Sequence, residues 1–308
     1  MSKKKKILVA LGGNSKERDI SFKTGKACIK ALKKIGFIVE TFDPKFNSFF
    51  ELNKKKINLI FNALHGKEGE DGYAQSFFEY FKIPYTHSGV VSSMNCMDKI
   101  ISKKIFSKNK IKTPDYMTIN KKNLLGISKM IKKKHLSFPL VVKPSNEGSS
   151  IGVKISKNIK DLKKNISILK KNYETLLIEN FVGGQEIQVA VINGKALGAI
   201  ELKPKRKFYD YKAKYLKSAK TDHIMPARLT KRNYSKVLKI AEKAHKILNC
   251  RGVTRSDFKY FKKKFYLLEI NTQPGMTELS LVPEIALYNK VSFENLVLKI
   301  VSDAGLKK

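Results

Sequence analysis

The stretch Gly252-Val253-Thr254-Arg255-Ser256-Asp257-Phe258, resumed downstream as Phe265-Tyr266-Leu267-Leu268-Glu269-Ile270-Asn271-Thr272-Gln273-Pro274-Gly275, decides how this chain is read. Val253 to Phe261 and Phe265 to Asn271 are predicted as two strands joined through Lys262-Lys263-Lys264. Side chains two apart on a strand share a face, so Arg255 goes with Asp257 and Glu269 with Asn271. If the strands pair, the two faces coincide and gather two carboxylates, an amide oxygen and a guanidinium. Hard oxygen donors of this kind suit Mg²⁺, which prefers carboxylates plus substrate phosphates to an all-protein cage. The alternative is an exposed polar face with ordinary ion pairs. Glu269 weighs against it, because this carboxylate interrupts the apolar run Tyr266-Leu267-Leu268…Ile270 and is costly to bury unless paired or metal-bound.

Upstream lies Val141-Val142-Lys143-Pro144-Ser145-Asn146-Glu147-Gly148-Ser149-Ser150-Ile151-Gly152-Val153. A strand delivers Lys143, and a Gly/Ser loop then offers open backbone N–H groups that fold over phosphates as a flap. No G-x-x-x-x-G-K-[ST] occurs, so this is not a P-loop. Gly148 to Gly152 matches G-x-S-x-G, the nucleophile elbow of serine hydrolases, but an elbow needs a helix directly after the serine. Val153 to Ile155 reads as strand, which argues against Ser150 as a nucleophile and leaves it a polar role. Phe208 to Tyr215, with several aromatics and lysines, reads either as a closing lid with a phosphate-seeking lysine or as a packed irregular loop.

Nearer the N-terminus, Ile7 to Leu11 is a short apolar strand running into Gly12-Gly13. Its apolar part is too short for a signal peptide, and no small-residue cleavage site follows. Ile20, Thr24, Ala27, Cys28, Ala31, Leu32 and Ile35 recur at the helical period, and Gly36 stands where a C-terminal cap belongs. Phe37 to Phe42 and Ile57 to Leu64 read as further strands. The first ninety or so residues therefore form an α/β unit, whose ligand loops belong at the strand ends: Gly12 to Asp19 and His65 to Tyr73. Glu17 precedes a helix N-terminus, either to suit the helix dipole or to hold a ligand amine. Further on come a helix at Ile100 to Phe106, a basic helix near Leu124 to Lys134, strands at Leu140 to Lys143 and Leu176 to Glu179, and a helix around Ile159 to Lys170. Asn193-Gly194 joins Gln185–Ile192 to Lys195–Leu202 as a hairpin. The second and third units suggest two smaller α+β layers facing each other.

Composition bounds the rest. Lys and Arg total 63 against 26 acids, a formal +37 over 308 residues. Only six of the 63 are Arg, the residue that specific nucleic-acid readers favour, and the lysines are spread along the whole chain. A solvated, biased surface is expected, with non-specific polyanion binding and no specific nucleic-acid site. Hydrophobic residues at 42% suffice for a core, and no apolar run is long enough to span a membrane. Cys28, Cys96 and Cys250 are far apart in sequence and in no CxxC pair, so neither a disulfide framework nor a zinc site is expected. A cytoplasmic location follows.

Taken in order, these segments resemble the D-alanine–D-alanine ligase family of the ATP-grasp superfamily. The marks are Gly12 to Arg18, Leu64-His65-Gly66 with Gly69 to Gly72, Met97-Asp98-Lys99, Lys143-Pro144-Ser145 with Glu147 to Ser150, Tyr209 to Tyr215, and Leu268 to Thr272 with Pro274 to Thr277. The resemblance implies a three-domain ATP-grasp fold: a Rossmann-like parallel sheet over 1–95, a central subdomain over 96–182, and a C-terminal subdomain over 183–308, with ATP between the last two. It implies that Lys99, Lys143 and Lys214 meet the ATP phosphates under the Ser149-Ser150 loop. Glu179, Phe181 and Val182 would contact adenine, and Glu186 the ribose. Asp257, Glu269 and Asn271 would hold two Mg²⁺ ions, replaceable by Mn²⁺, while Arg255 steadies charge at the acyl centre. Glu17, backed by Ser150 and Tyr215, would bind the first D-alanine; His65, Gly275, Ser280 and Leu281 would line the second site. Tyr215 resembles the alanine-using branch, since the lactate-using branch has Phe there. The implied activity joins two D-alanines through D-alanyl phosphate for peptidoglycan synthesis, in a homodimer.

Overall fold

A computed structural model describes residues 5–54, 56–120, 126–204, 221–277 and 280–306. Strands β1 (Lys6–Ala10), β2 (Ile38–Phe42) and β3 (Leu59–Asn62) form a parallel sheet in the order β2-β1-β3. Helix α1 (Arg18–Ile35) makes the crossover from β1 to β2, burying Ile20, Thr24, Cys28, Ala31 and Leu32 and leaving its lysines in water. It stops at Gly36, whose left-handed backbone (φ 105°) lets its N–H reach the Leu32 and Lys33 carbonyls. Helices α2 (Tyr73–Tyr80), α3 (Val90–Met97) and α4 (Lys99–Lys108) follow, the last capped by the Asp98 carboxylate.

The second sheet is antiparallel, in the order β4-β7-β5-β6, from β4 (Tyr116–Ile119), β5 (Leu140–Pro144), β6 (Lys154–Ser156) and β7 (Leu176–Asn180). Helices α5 (Ile127–Lys133) and α6 (Ile159–Lys170) cover one side of it with Ile127, Ile131, Leu162 and Ile166. The third sheet, order β10-β9-β8-β11-β12, comprises β8 (Gln185–Ile192), β9 (Lys195–Pro204), β10 (Thr221–Ile224), β11 (Val253–Phe261) and β12 (Lys264–Asn271). Asn193 and Gly194 both have positive φ (48° and 77°), as a two-residue hairpin of this twist requires. Of the expected boundaries, 182/183 lies in the short β7–β8 connection and 95/96 lies inside α3.

Three helices of the C-terminal region complete the core. Helix α7 (Lys231–Ile247) packs Val237, Ala241 and Ala244 against Ile187, Val189, Phe258 and Leu267 on one face of the third sheet. Helices α8 (Leu281–Tyr288) and α9 (Phe293–Ser302) cover part of the other face and meet α1, so that Leu32, Ile192, Ile285 and Leu296 belong to one cluster. The first and third sheets thereby share a core. Beyond the helices, that second face of the sheet lies open toward the second sheet.

The cysteines are free. Cys96 and Cys250, 154 residues apart, nevertheless bring their sulfurs within 3.8 Å, because α3 packs beside the α7–β11 connection. Among the described residues no helix is long and apolar enough to cross a membrane.

Candidate active site

On β11 and β12 the pairing places Arg255 opposite Asn271 and Asp257 opposite Glu269, so the two polar faces coincide. The pairing then shifts: Phe258 faces Leu267, and Leu268 is passed over. This bulge explains why Leu267 and Ile270, three apart, both point into the core while Glu269 and Asn271 turn to the cleft. Thr254, Ser256 and Phe258 are buried on the other face of β11. Arg255 holds the Asp257 carboxylate at 2.8 and 3.0 Å, and Lys99 lies 3.3 Å from Glu269.

The cleft between the second and third sheets forms one cavity. Lys143, Glu179, Phe181 and Val182 line it from the second sheet and the connection that follows; Glu186, Asp257 and Glu269 line it from the third. Glu186 is paired with Lys259 at 2.8 Å. Lys99 closes one end, its ammonium donating to the Glu147 carbonyl at 2.5 Å. Among the described residues the only buried lysines are Lys99, Lys103 and Lys143; Lys99 and Lys143 line this cleft and Lys103 lies behind it. In a chain with so many lysines at its surface, three ammoniums drawn out of water mark where negative charge is to be met.

Lys103 was not among the expected residues. It lies one helical turn beyond Lys99 on α4, and its ammonium stands 2.8 Å from Glu179 Oε2 and 2.5 Å from Thr113 Oγ1. Lys143 donates to Glu179 Oε1 at 2.6 Å. Burial alone pushes the Glu179 carboxyl up; the two ammoniums overcome this and hold it at about 2. Burial likewise lowers Lys103 to about 8, against the pull of Glu179.

A second cavity lies on the other side of the flap, lined by Glu17, His65, Arg255, Gly275, Ser280 and Leu281 together with Ser149 and Asn271. Ser149 and Ser150 have consecutive left-handed backbones (φ 49° and 61°), which sends their side chains apart: Ser149 to this cavity, Ser150 to the other. The hydroxyl meeting Glu17 is therefore that of Ser149, where Ser150 was expected. Glu17 sits at the N-cap of α1, but among the described residues its carboxylate makes no capping bond and is turned toward the flap. A Cβ at Gly66 would lie 2.7 Å from that carboxylate, and one at Gly148 would lie 3.2 Å from it. His65 is fixed on both sides, by Thr24 and Glu70 at 2.9 Å each. Burial raises the Glu70 carboxyl. Ser280 begins α8, and its hydroxyl accepts from the Thr277 N–H at 2.9 Å.

The flap is followed by a turn and then β6, so no helix stands behind Ser150 and the nucleophile-elbow reading is excluded. Tyr215 and Lys214 lie outside the described residues. Glu70 and Gln273 were not singled out either. Gln273 ties Asn62 (2.8 Å) and the Leu64 carbonyl to the strand end carrying Asn271, a link between sheets that no local pattern announces.

Residues 105–302 match the family described as D-ala D-ala ligase C-terminus. Over its full length the chain is 57% identical to a D-alanine–D-alanine ligase of Pelagibacter ubique, covering 99% of both chains. It is 43% identical to one of Citrifermentans bemidjiense, covering 99% of this chain and 98% of that one. The solved D-alanine–D-alanine ligase of Bacillus anthracis complexed with ATP superposes with a TM-score of 0.85 at 32% identity, covering 97% of each chain.

Proposed function

The chain belongs to the D-alanine–D-alanine ligase family, ATP-grasp enzymes that use ATP to join two D-alanines for peptidoglycan synthesis, and on that premise we propose how its two cavities divide the reaction. ATP lies in the cleft between the second and third sheets, with adenine against Glu179, Phe181 and Val182 and the ribose at Glu186. Lys99, Lys143 and Lys214 meet the phosphates, with Ser149 and Ser150 in the flap above them. The observation that carries this reading is the pair of buried lysines, Lys99 and Lys143, lining a cleft that also holds two facing carboxylates.

A divalent cation fits the residues present. Asp257 and Glu269 face each other across one ladder, and each already holds a cationic side chain, Arg255 and Lys99. Two carboxylates leave the remaining positions to phosphate oxygens and water, the coordination that Mg²⁺ prefers. Asp257, Glu269 and Asn271 would hold two Mg²⁺ (or Mn²⁺), which would supply charge neutralisation at the phosphates.

The first D-alanine binds in the second cavity, its ammonium on Glu17 with Ser149, Ser150 and Tyr215 around it. Its carboxylate oxygen bonds to the γ-phosphorus as the β–γ bridge breaks, giving D-alanyl phosphate and ADP. The second D-alanine lies among His65, Gly275, Ser280 and Leu281. Its neutral amine attacks the acyl carbon, and Arg255 steadies the oxyanion until phosphate leaves. No protein nucleophile is needed; positioning and charge neutralisation carry the rate. The enzyme works in the cytoplasm as a homodimer with domains at 1–95, 96–182 and 183–308, readings supported by the family. Phosphate release should require ATP, Mg²⁺ and D-alanine together. Release that continues without D-alanine, or that L-alanine alone supports, would overturn the assignment.

A further inference from the structure

Glu179 carries two ammoniums, one on each oxygen: Lys143 on Oε1 at 2.6 Å and Lys103 on Oε2 at 2.8 Å. Their surroundings differ. Lys143 lines the nucleotide cleft. Lys103 is wholly buried behind it, held by the Thr113 hydroxyl and packed 5.3 Å from the Tyr116 ring centre, and it does not line the cavity. A lysine that cannot reach the ligand still sets the charge of the group that does. With one cation, Glu179 and Lys143 would form a closed neutral pair, and moving Lys143 to a phosphate would leave a carboxylate buried and uncompensated, the costly state for a charge out of water. With two, the trio has one positive charge in excess, and Lys143 turns away while Glu179 stays paired.

We propose that Lys103 is a positioning residue for nucleotide binding, keeping Glu179 compensated so that the Lys143 ammonium is released to a phosphate of ATP. The inference rests on the reading of this cleft as the nucleotide site. It predicts that Lys103 matters for the phosphates and not for the base.

The test compares dissociation constants of ATP and adenosine by calorimetry for the intact enzyme, Lys143→Met, Lys103→Met and Lys103→Met/Glu179→Gln. Lys103→Met should weaken ATP about tenfold or more, the scale of one charge-assisted hydrogen bond, while adenosine changes less than about threefold. In steady state the loss should fall on KM for ATP more than on kcat. Neutralising Glu179 as well should restore much of the preference for ATP over adenosine, because an amide no longer retains Lys143; a merely structural role for Lys103 predicts no such recovery. If Lys103→Met does not fold, Thr113→Val, which loosens Lys103 without removing its charge, should shift the same ratio in the same direction by a smaller factor. Equal weakening of ATP and adenosine, or no recovery in the double variant, would overturn the proposal. Should Lys143→Met itself leave ATP affinity unchanged, the reading of the cleft fails first, so the two failures are distinguishable.

Discussion

Ser149 and Glu17, 132 residues apart, meet through a hydroxyl donated to a carboxylate, and this bond closes the flap of the second sheet onto the first turn of α1. The same carboxylate lies close to Gly148 of that flap and to Gly66, so two separate loops converge on one charge. Ser149→Ala should raise KM for D-alanine roughly tenfold while KM for ATP moves less, since a hydrogen bond to a charged group is lost on the amino-acid side of the flap. Steady-state kinetics with each substrate varied in turn would decide it, and a change confined to ATP would refute the placement.

Glu269 and Asp257 should be the residues through which Mg²⁺ acts. Glu269→Gln keeps the shape and removes the charge; turnover is expected to fall at least about a hundredfold. Calorimetry gives an independent reading: ATP binding should gain strongly from added Mg²⁺ in the unaltered enzyme and little in the variant. Near-normal turnover together with preserved Mg²⁺ dependence would remove Glu269 from the metal site.

Two buried histidines should make the fold sensitive to mild acid. Burial lowers His245 to about 4 and His87 to about 3, below the 6.5 of an unfolded chain. Between those values the unfolded chain takes up protons that the fold refuses. Their contribution is therefore fully present above about pH 6.5 and is lost as pH falls toward 4, by at most about 3 kcal/mol for His245. Urea midpoints measured from pH 7 to 4 should fall, and His245→Gln should flatten the slope. An unchanged slope in that variant would contradict the assignment.

Gly184, in the β7–β8 connection, has φ of 84°, and a Cβ there would lie 2.2 Å from the Tyr260 carbonyl oxygen. Gly194 has a similar φ of 77° and open space around it. Gly194→Ala should therefore cost about 1 kcal/mol from backbone conformation alone, and Gly184→Ala distinctly more, because β11 must shift as well. Calorimetric melting of both variants tests the order, and equal losses would mean that the connection yields freely.

Much of the site was legible because its signals are local. Period-two alternation paired Arg255 with Asp257 and Glu269 with Asn271; the strand and loop around Lys143 marked a flap; a strand after Ser150 spoke against a hydrolase. The serines of the flap were legible as a pair but not in their directions, since consecutive left-handed residues diverge in a way that alternation does not encode.

The amino-acid order by itself determined the strands that carry the site, the faces they present, the glycine-bounded loops and the family these make together, because each depends on residues within a few positions of one another. Only the tertiary structure decided that Leu268 bulges to aim Glu269 at the cleft, that the C-terminal helices complete the core begun by α1, and which lysines lose their water. Lys103 is chemically the same as its exposed neighbour Lys104. What separates them is the packing of α4 against β7 and the Thr113 segment, and burial is set by segments that meet in space without a trace in their spacing.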